Sequence, residues 1–346
     1  MVHPGATRRP PGRLTRAAGI TSLLLVVSAC AVGSPMTAEP GTAGPGASTG
    51  LPQGQGSSTA SPPAGPSPSP PNADPSRTTT SIRLAMTPAQ ARADTGELLG
   101  SDCYAHREQT AAPDPEDCSF GYYDGDTVVL YGDSHAAQWF GAAVEVADRH
   151  DRRLLPVTKA DCPPGGERVL DADGGEYTEC AAWHTHAMEM IRTQEPILVL
   201  VATQSDGYRI LGEDGEPLST EASADRLARA LAEDLRAFAD MGARTVLIRD
   251  IQEPGFDVPD CIEADGPQSC GYGLVATSPD DSAQRAAAKA SGSDVVDLRQ
   301  EVCGDRAECL GVINGLITFR DAEHVTSTFA TSLADDLEAG LEAMPA

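Results

Sequence analysis

The sequence predicts an α/β protein in which helices cover both faces of a parallel sheet. Short apolar, β-branched segments typical of buried strands alternate along the chain with longer segments of helical period. Strands that alternate with helices in this way form a parallel sheet buried on both sides. About 250 residues take part, which suits one domain with a sizeable core.

Each predicted element follows from its own local pattern. The predicted strands are Thr127–Tyr131, Arg153–Thr158, Pro196–Ala202, Arg244–Arg249 and Asp294–Leu298, with another beginning at Leu316. The predicted helices are Met86–Leu99, Ala136–Ala147, Glu179–Arg192, Thr220–Met241 and Ser327–Ala343. Pro156 predicts an irregular second strand, because proline cannot donate to the ladder.

The first predicted strand ends in Gly132-Asp133-Ser134 and is followed directly by a helix. Such a turn places the serine hydroxyl at the carboxyl end of the sheet, beside free amide groups at a helix N-terminus. That position suits a nucleophile whose substrate passes through an oxyanion. The same letters also fit Ser134 as a simple helix N-cap.

A second polar pair lies near the end of the chain. Asp321 and His324 are three residues apart in a polar loop between a strand and the last helix. In a turn, this spacing lets the carboxylate orient the imidazole as a general base. A capped helix would give the same letters.

Together these segments resemble the SGNH hydrolase superfamily, and most closely the SGNH domains at the C-terminus of bacterial membrane O-acyltransferases. The resemblance covers about residues 100–346 and includes three further pieces, Lys159–Pro164, Cys180–Trp183 and Cys309–Ile313. It implies a flavodoxin-like three-layer sandwich, the SGNH hydrolase fold. It also implies a catalytic triad with Ser134 as nucleophile, His324 as base and Asp321 as its orienting acid.

The oxyanion donors depart from the family pattern. The third block reads Thr203-Gln204 where the superfamily has an asparagine, and the second block, from Lys159, lacks its glycine. Gln204 could supply an amide N–H, and the amides of Ser134 and Ala136 are further candidates. His135 adjoins the nucleophile without facing it, so we interpret it as a packing or substrate-side residue.

Cysteine usage indicates an exported protein. Besides Cys30 there are eight cysteines, an even number that suggests disulfides rather than a metal site, since no Cys-x-x-Cys occurs. Eight cysteines allow 105 connectivities. Close spacing favours the pairs Cys103–Cys118, Cys162–Cys180, Cys261–Cys270 and Cys303–Cys309.

The N-terminus has the pattern of a lipoprotein signal. Four arginines precede a short apolar core, Ala17–Ala29, which ends in a lipobox-like Val-Ser-Ala before Cys30. We predict a signal peptide over residues 1–29 and lipidation of Cys30. After it we predict a disordered tether, rich in Pro, Ser and Gly, over residues 30–83, and then the SGNH-type domain over residues 84–346. An ordinary secretory signal or an uncleaved anchor remains the alternative.

The formal net charge of −26 argues against nucleic acid or anionic lipid headgroups as partners. Membrane contact is therefore expected through the lipid anchor only. The segment 254–278, which holds Cys261 and Cys270, breaks the alternation and either walls the site or is a stapled surface insertion.

We predict that the protein is an extracytoplasmic lipoprotein on the outer face of the cytoplasmic membrane. It transfers or removes O-acyl, acetyl-like groups on a cell-surface or cell-wall glycan and needs no cofactor. The triad does not separate an acyltransferase from a carbohydrate esterase. A transferase would need a separate membrane acyltransferase as acyl donor. The alternative from another class is a catalytically inactive glycan-binding lipoprotein.

Overall fold

A computed structural model describes residues 82–204, 207–273, 282–304 and 308–342. The predicted signal peptide, Cys30 and all but the last two residues of the predicted tether lie outside the described residues. So do Ser205 and Asp206, which follow Gln204, and residues 274–278 of the predicted insertion. Among the described helices, none combines the length and apolar character needed to cross a bilayer.

Eleven strands and eleven helices are named here in chain order. The strands are β1 Tyr104–Ala105, β2 Phe120–Gly121, β3 Thr127–Gly132, β4 Arg153–Lys159, β5 Leu198–Ala202, β6 Arg244–Ile248, β7 Tyr272–Gly273, β8 Asp294–Val296, β9 Glu308–Cys309, β10 Val312–Ile313 and β11 Leu316–Ile317. The helices are α1 Pro88–Ala93, α2 Gly96–Leu99, α3 Ser134–Ala137, α4 Phe140–Arg149, α5 Thr178–Thr193, α6 Thr220–Asp240, α7 Val258–Asp265, α8 Ser282–Ser291, α9 Arg299–Cys303, α10 Ser327–Ser332 and α11 Ala334–Gly340.

The main sheet has seven strands in the order β1-β4-β3-β5-β6-β8, with β2 also paired to β4. Every pair in it is parallel except β2 with β4. The five longer parallel strands can be renumbered 1 to 5 in chain order, as β3, β4, β5, β6 and β8. Their order across the sheet is then 2-1-3-4-5, which is the flavodoxin-like order. The predicted α/β fold with a parallel sheet is confirmed.

Alternate side chains of the central strands enter two separate cores. Val128 and Leu130 of β3 pack with α4, α10 and α11 on one face. Val129 and Tyr131 point the other way and pack with α5, α6 and α8. Since successive strand residues face opposite sides, continuous apolar strands are what a sheet buried on both faces needs. The result is three layers, helix, sheet and helix.

The helix predicted over Ala136–Ala147 is broken into α3 and α4. The amide of Trp139 donates to the carbonyl of Ala136 over 3.0 Å, a tighter turn than an α-helix makes. The buried Gln138 side chain accepts from the Val325 amide over 3.0 Å, which ties this break to the loop before α10. Helix periodicity does not reveal a break of this kind, because it depends on a distant partner.

Other expectations need correction. Pro156 does not interrupt β4, because β1 and β2 pair only with the two ends of that strand and leave its middle without a neighbour on that side. The predicted last helix ends at Ser332 and resumes at Ala334. The segment 254–278, which breaks the alternation in the sequence, contains α7 and β7.

All eight described cysteines form disulfides, each between the two members of a predicted pair. Cys162–Cys180 joins the loop after β4 to α5, and Cys261–Cys270 closes α7 onto the following turn. These bridges constrain loops at the carboxyl edge of the sheet.

Candidate active site

The sequence places Ser134 at the first position of α3, directly after β3. Gly132, the last residue of β3, has φ +146°, and a Cβ built on it would lie 1.8 Å from the carbonyl oxygen of Ala202. Only glycine allows β3 and β5 to approach this closely. Asp133, not Ser134, is the N-cap, since its side chain accepts from the His135 amide over 2.8 Å. The serine hydroxyl is thereby left for another partner.

Asp133 is fully buried and holds the ends of β3 and β5 together. Its Oδ2 accepts from the Thr203 hydroxyl over 2.6 Å, the Gln204 amide over 2.9 Å and the Tyr208 hydroxyl over 2.8 Å. Burial and the charge of Asp133 raise the pKa of Tyr208 well above its usual value, so its hydroxyl remains a donor. A buried carboxylate needs such a set of donors. Asp133 therefore braces the turn between β3 and α3 against the end of β5.

The structure brings His324 to Ser134 across 190 positions of sequence. The Ser134 Oγ lies 2.9 Å from Nε2 of His324, and Nδ1 of the same ring lies 3.0 Å from Oδ2 of Asp321. Asp321 Oδ1 also accepts from the amides of Glu323 and His324 over 2.8 and 2.6 Å. Asp321 and His324 therefore lie in a turn, and the cap of α10 is Thr326.

This geometry orients the imidazole as a hydrogen-bond acceptor. Burial acts to raise the pKa of the Asp321 carboxyl, but the hydrogen bond and charge of His324, together with the two backbone amides, outweigh it and hold that pKa well below its usual range. An ionised Asp321 accepts a hydrogen bond from the Nδ1–H of His324, which leaves the Nε2 lone pair facing the Ser134 hydroxyl. Ser134 and His324 are both partly exposed, so a substrate can reach them.

Gln204 lies at the end of β5, next to β3, which is the point where the strand order reverses. Ligands of open parallel sheets bind at such a point. The side-chain Nε2 of Gln204 donates to Oε1 of Glu253 over 2.8 Å, and one of its two N–H groups is used in this bond. Burial raises the pKa of Glu253, while the Gln204 bond and His135 act to lower it.

Two of the predicted oxyanion or substrate residues need correction. The Ala136 amide donates to the Asp133 carbonyl over 3.1 Å, and its side chain is fully buried. The His135 side chain is 2% exposed and its Nδ1 lies 2.9 Å from Oδ1 of Asp250. Of the two interpretations of His135, packing agrees with this position and substrate contact does not.

His135 and Asp250 form a second His–Asp pair, behind the first. Burial acts to lower the pKa of His135, but the charge and hydrogen bond of Asp250 outweigh it and raise that pKa to about 9. The ring lies 4.8 Å from that of His324, centroid to centroid, with the planes tilted by 50°. Asp250 was not identified as a site residue from the sequence, although it follows a predicted strand and so falls at the same edge of the sheet.

Gly165, which follows the second block, is engaged elsewhere. The Gly165 amide donates to Oδ2 of Asp234 over 2.7 Å, and that carboxylate also binds Tyr131 and His184. The backbone N–H of Gly165 is therefore not an oxyanion donor. Glu253 and Tyr208 were missed as well, and no local pattern marks them, because each acts through a residue distant in sequence.

Several solved structures are similar to this chain, and the first of those described here shares its fold. The periplasmic domain of a lipopolysaccharide acetyltransferase from Salmonella ser. Paratyphi A is 15% identical, with a TM-score of 0.52 over 71% of this chain and 93% of that one. A GDSL-like lipase from Bacteroides thetaiotaomicron is 13% identical, with a TM-score of 0.35 over 63% of this chain and 88% of that one. A putative acylhydrolase from Bacteroides fragilis is 12% identical, with a TM-score of 0.36 over 64% and 89%.

No curated protein matches the chain. The family described as "SGNH domain (fused to AT3 domains)" matches residues 102–339, most of the chain and nearly all of its described part. That range contains Ser134, His324 and Asp321 as well as the whole parallel sheet. The chain belongs to the family of SGNH domains that occur fused to AT3 domains.

Proposed function

We propose that this chain is an extracytoplasmic serine enzyme that moves O-acyl groups of acetyl size to or from a surface or wall glycan, with Ser134, His324 and Asp321 as its triad. The observation that carries the proposal is the continuous hydrogen-bonded line from Ser134 Oγ through the His324 ring to Asp321, with contacts of 2.9 and 3.0 Å. Family membership supports the same chemistry.

The proposed reaction has two steps. His324 Nε2 takes the Ser134 proton while Oγ attacks the acyl carbonyl and forms a tetrahedral oxyanion. The oxyanion collapses, the donor oxygen leaves with the proton from His324, and an acyl-enzyme remains on Ser134. A sugar hydroxyl or water then gives its proton to His324 and attacks the acyl-enzyme, which forms a second tetrahedral oxyanion. When that oxyanion collapses, the bond to Oγ breaks, His324 returns the proton to Ser134, and the acylated sugar or free acid leaves.

The proposed oxyanion donors are the Ser134 amide and Gln204 Nε2. The amide of Ser134 lies at the first helical position, where no acceptor exists within the helix. Gln204 takes the place of the family's asparagine, and Glu253 fixes its amide by accepting one N–H. A donor whose orientation is fixed in advance stabilises the oxyanion more than one that must reorganise.

The proposed acyl donor is a separate membrane acyltransferase, in keeping with a family described as fused to AT3 domains. Four disulfides in the described residues fit an oxidising compartment. With Cys30 as lipid anchor and residues 30–83 as tether, the domain over 84–346 would stand outside the cytoplasmic membrane.

A serine-directed fluorophosphonate tests the enzyme proposal. Wild type is expected to label and to release acetate from p-nitrophenyl acetate, and Ser134→Ala to do neither. Turnover of an O-acetylated oligosaccharide, with and without an unacetylated sugar acceptor, separates transferase from esterase. A wild type that does not label and cleaves no ester, yet binds glycan, would favour the inactive binding protein.

A further inference from the structure

An open groove of about 570 Å³ lies beside the candidate active site. Its lining includes Arg107, Asp161, Asp171, Ala172, Tyr177 and Glu323, and we call it the Arg107 groove. Glu323 adjoins His324 in sequence, and Gln204 lines the groove as well, so the groove borders the candidate active site. Arg107 and Asp161 follow β1 and β4, which end at the same edge of the sheet as β3.

The wall of this groove is built from buried contacts. The fully buried Lys159 donates from Nζ to the carbonyls of His106, Arg107 and Gln109 over 2.7, 2.8 and 2.7 Å, which uses all three of its donors. The Tyr177 hydroxyl donates to the carbonyls of Arg107 and Ala160 over 3.2 and 3.0 Å. Because these bonds fix the backbone around Arg107, a ligand would meet a preorganised surface.

Three of the polar side chains that line the groove are arranged around the Arg107 guanidinium. Arg107 donates to the carboxylates of both Asp161 and Asp171, and its guanidinium carbon lies 4.4 Å above the centre of the Tyr177 ring. The Asp161 and Asp171 side chains remain 59% and 28% exposed. Each carboxylate has acceptor positions that Arg107 does not use, so both can accept from hydroxyl groups of a ligand.

The charge of the groove limits what it binds. Three carboxylates, those of Asp161, Asp171 and Glu323, line it against the two guanidiniums of Arg107 and Arg209. Excess negative charge repels an anionic chain, and the charged walls do not suit an acyl tail. A hydroxyl-rich neutral ligand fits, since it donates to the carboxylates without bringing a charge of its own.

We infer that the Arg107 groove is the acceptor subsite, which holds neutral sugar residues of the glycan while one of their hydroxyls reaches the acyl-enzyme at Ser134. This inference rests on the proposed function and deepens it. It assigns the glycan a defined surface between the ends of β1, β4 and β5, and it selects uncharged over acidic glycans.

Exposed Ala172 gives the sharpest test, because a tyrosine there would occupy the groove without removing any of its polar groups. The matched control is Ala239→Tyr, at the exposed C-terminal end of α6 and so at the opposite edge of the sheet. The ratio of turnover on O-acetylated cellotetraose to turnover on p-nitrophenyl acetate is expected to fall about tenfold or more in Ala172→Tyr and to stay the same in Ala239→Tyr.

Asp161→Asn supplies a second variant. Asp161 has φ +50°, a conformation that asparagine tolerates, so the backbone is retained while a charge is lost. The KM for the tetrasaccharide is expected to rise about fivefold, as one charge-assisted hydrogen bond becomes neutral. Thermal melting of each variant confirms that it is folded.

Calorimetric binding separates failure of this inference from failure of the proposed function. Folded wild type is expected to bind cellotetraose or mannotetraose more tightly than tetragalacturonate, and Ala172→Tyr to bind them at least about tenfold more weakly. An equal effect of Ala239→Tyr, preference for tetragalacturonate, or no binding of either neutral tetrasaccharide would overturn the groove assignment. Absence of ester turnover with binding intact would overturn only the enzyme proposal.

Discussion

The hydroxyl of Ser134 is available for chemistry because Asp133 caps the helix in its place. That division of roles leaves the line from Ser134 through His324 to Asp321 as the candidate catalytic unit. If the three act together, removing any one disables the others. Ser134→Ala and His324→Ala should each lower kcat on p-nitrophenyl acetate by about 10⁴-fold or more, and the double variant should be little worse.

Asp321→Asn is the matched variant for the third member, because asparagine keeps the shape and can still accept the two backbone amides. It should cost less than the loss of His324, since the base remains while its orientation and charge partner are weakened. Steady-state kinetics of the four variants provide the measurement. Additive losses in the double variant would contradict a single unit.

The buried pair of His135 and Asp250 makes stability depend on pH. The pKa of His135 is raised to about 9 in the folded protein, above the value of about 6.5 in an unfolded chain. The stabilisation is therefore complete below about pH 6.5 and is lost as the pH rises through about 9. His135→Gln should remove this dependence, so the gap in unfolding free energy between the two proteins should shrink by roughly 2–4 kcal/mol from pH 6 to 10.

Urea unfolding at a series of pH values measures that gap. Lys159, whose pKa burial lowers to about 8, titrates over the same range. It does so in both proteins, and its effect cancels in the difference. Parallel curves for wild type and His135→Gln would show that His135 does not carry the charge.

Local residues of the site could be predicted and remote ones could not. Ser134 follows a recognisable strand-to-helix turn, and Asp321 and His324 share one turn, so short patterns mark all three. Glu253 acts only through Gln204, and such a contact exists only once the ends of separate strands meet. Ala136 failed as a donor because helix geometry already uses its amide.

At the scale of elements, the approach of β3 to β5 sets the position of the nucleophile. Gly132→Ala would force a Cβ against the Ala202 carbonyl and should lower the unfolding free energy by several kcal/mol and turnover with it. Gly242→Ala is the control, because Gly242 has φ +93° but no atom within 4 Å of a new Cβ. It should cost only about 1–2 kcal/mol of backbone strain. Equal losses, measured by urea unfolding, would show that crowding at Gly132 is unimportant.

A disulfide is expected to stabilise the fold more when it closes a longer stretch of chain, with a logarithmic dependence on the length of that stretch. Cys162–Cys180 spans 18 positions and Cys303–Cys309 spans 6. Replacing both cysteines of the first pair by alanine should cost about 3 kcal/mol of unfolding free energy, and of the second about 2 kcal/mol. Chemical denaturation of the two double variants checks the order. A larger loss at Cys303–Cys309 would contradict an effect that depends on loop length.

At the level of the whole molecule, the parallel sheet covered on both faces could be predicted because apolar runs alternate with amphipathic helices. The flavodoxin-like arrangement followed only from the resemblance to the SGNH hydrolase superfamily. The short strands β1 and β2 escaped prediction, since two residues show no periodicity. β1 bears on the proposed acceptor subsite, because Arg107 lies two residues after this strand and lines the groove.

The acidity of the whole chain leaves lipidation as the proposed route to the membrane. With a formal net charge of −26, the protein is repelled by anionic headgroups, so the acyl chains on Cys30 would have to supply the attachment. Cys30→Ala should therefore move the protein from the membrane fraction into the medium, and intact mass of the native protein should show a diacylglycerol on Cys30. High-salt washing provides the control, because it releases proteins held by charge but not those held by acyl chains. A Cys30→Ala protein that stays in the membrane fraction after that wash would mean that an uncleaved apolar segment, rather than a lipid, holds the domain at the membrane.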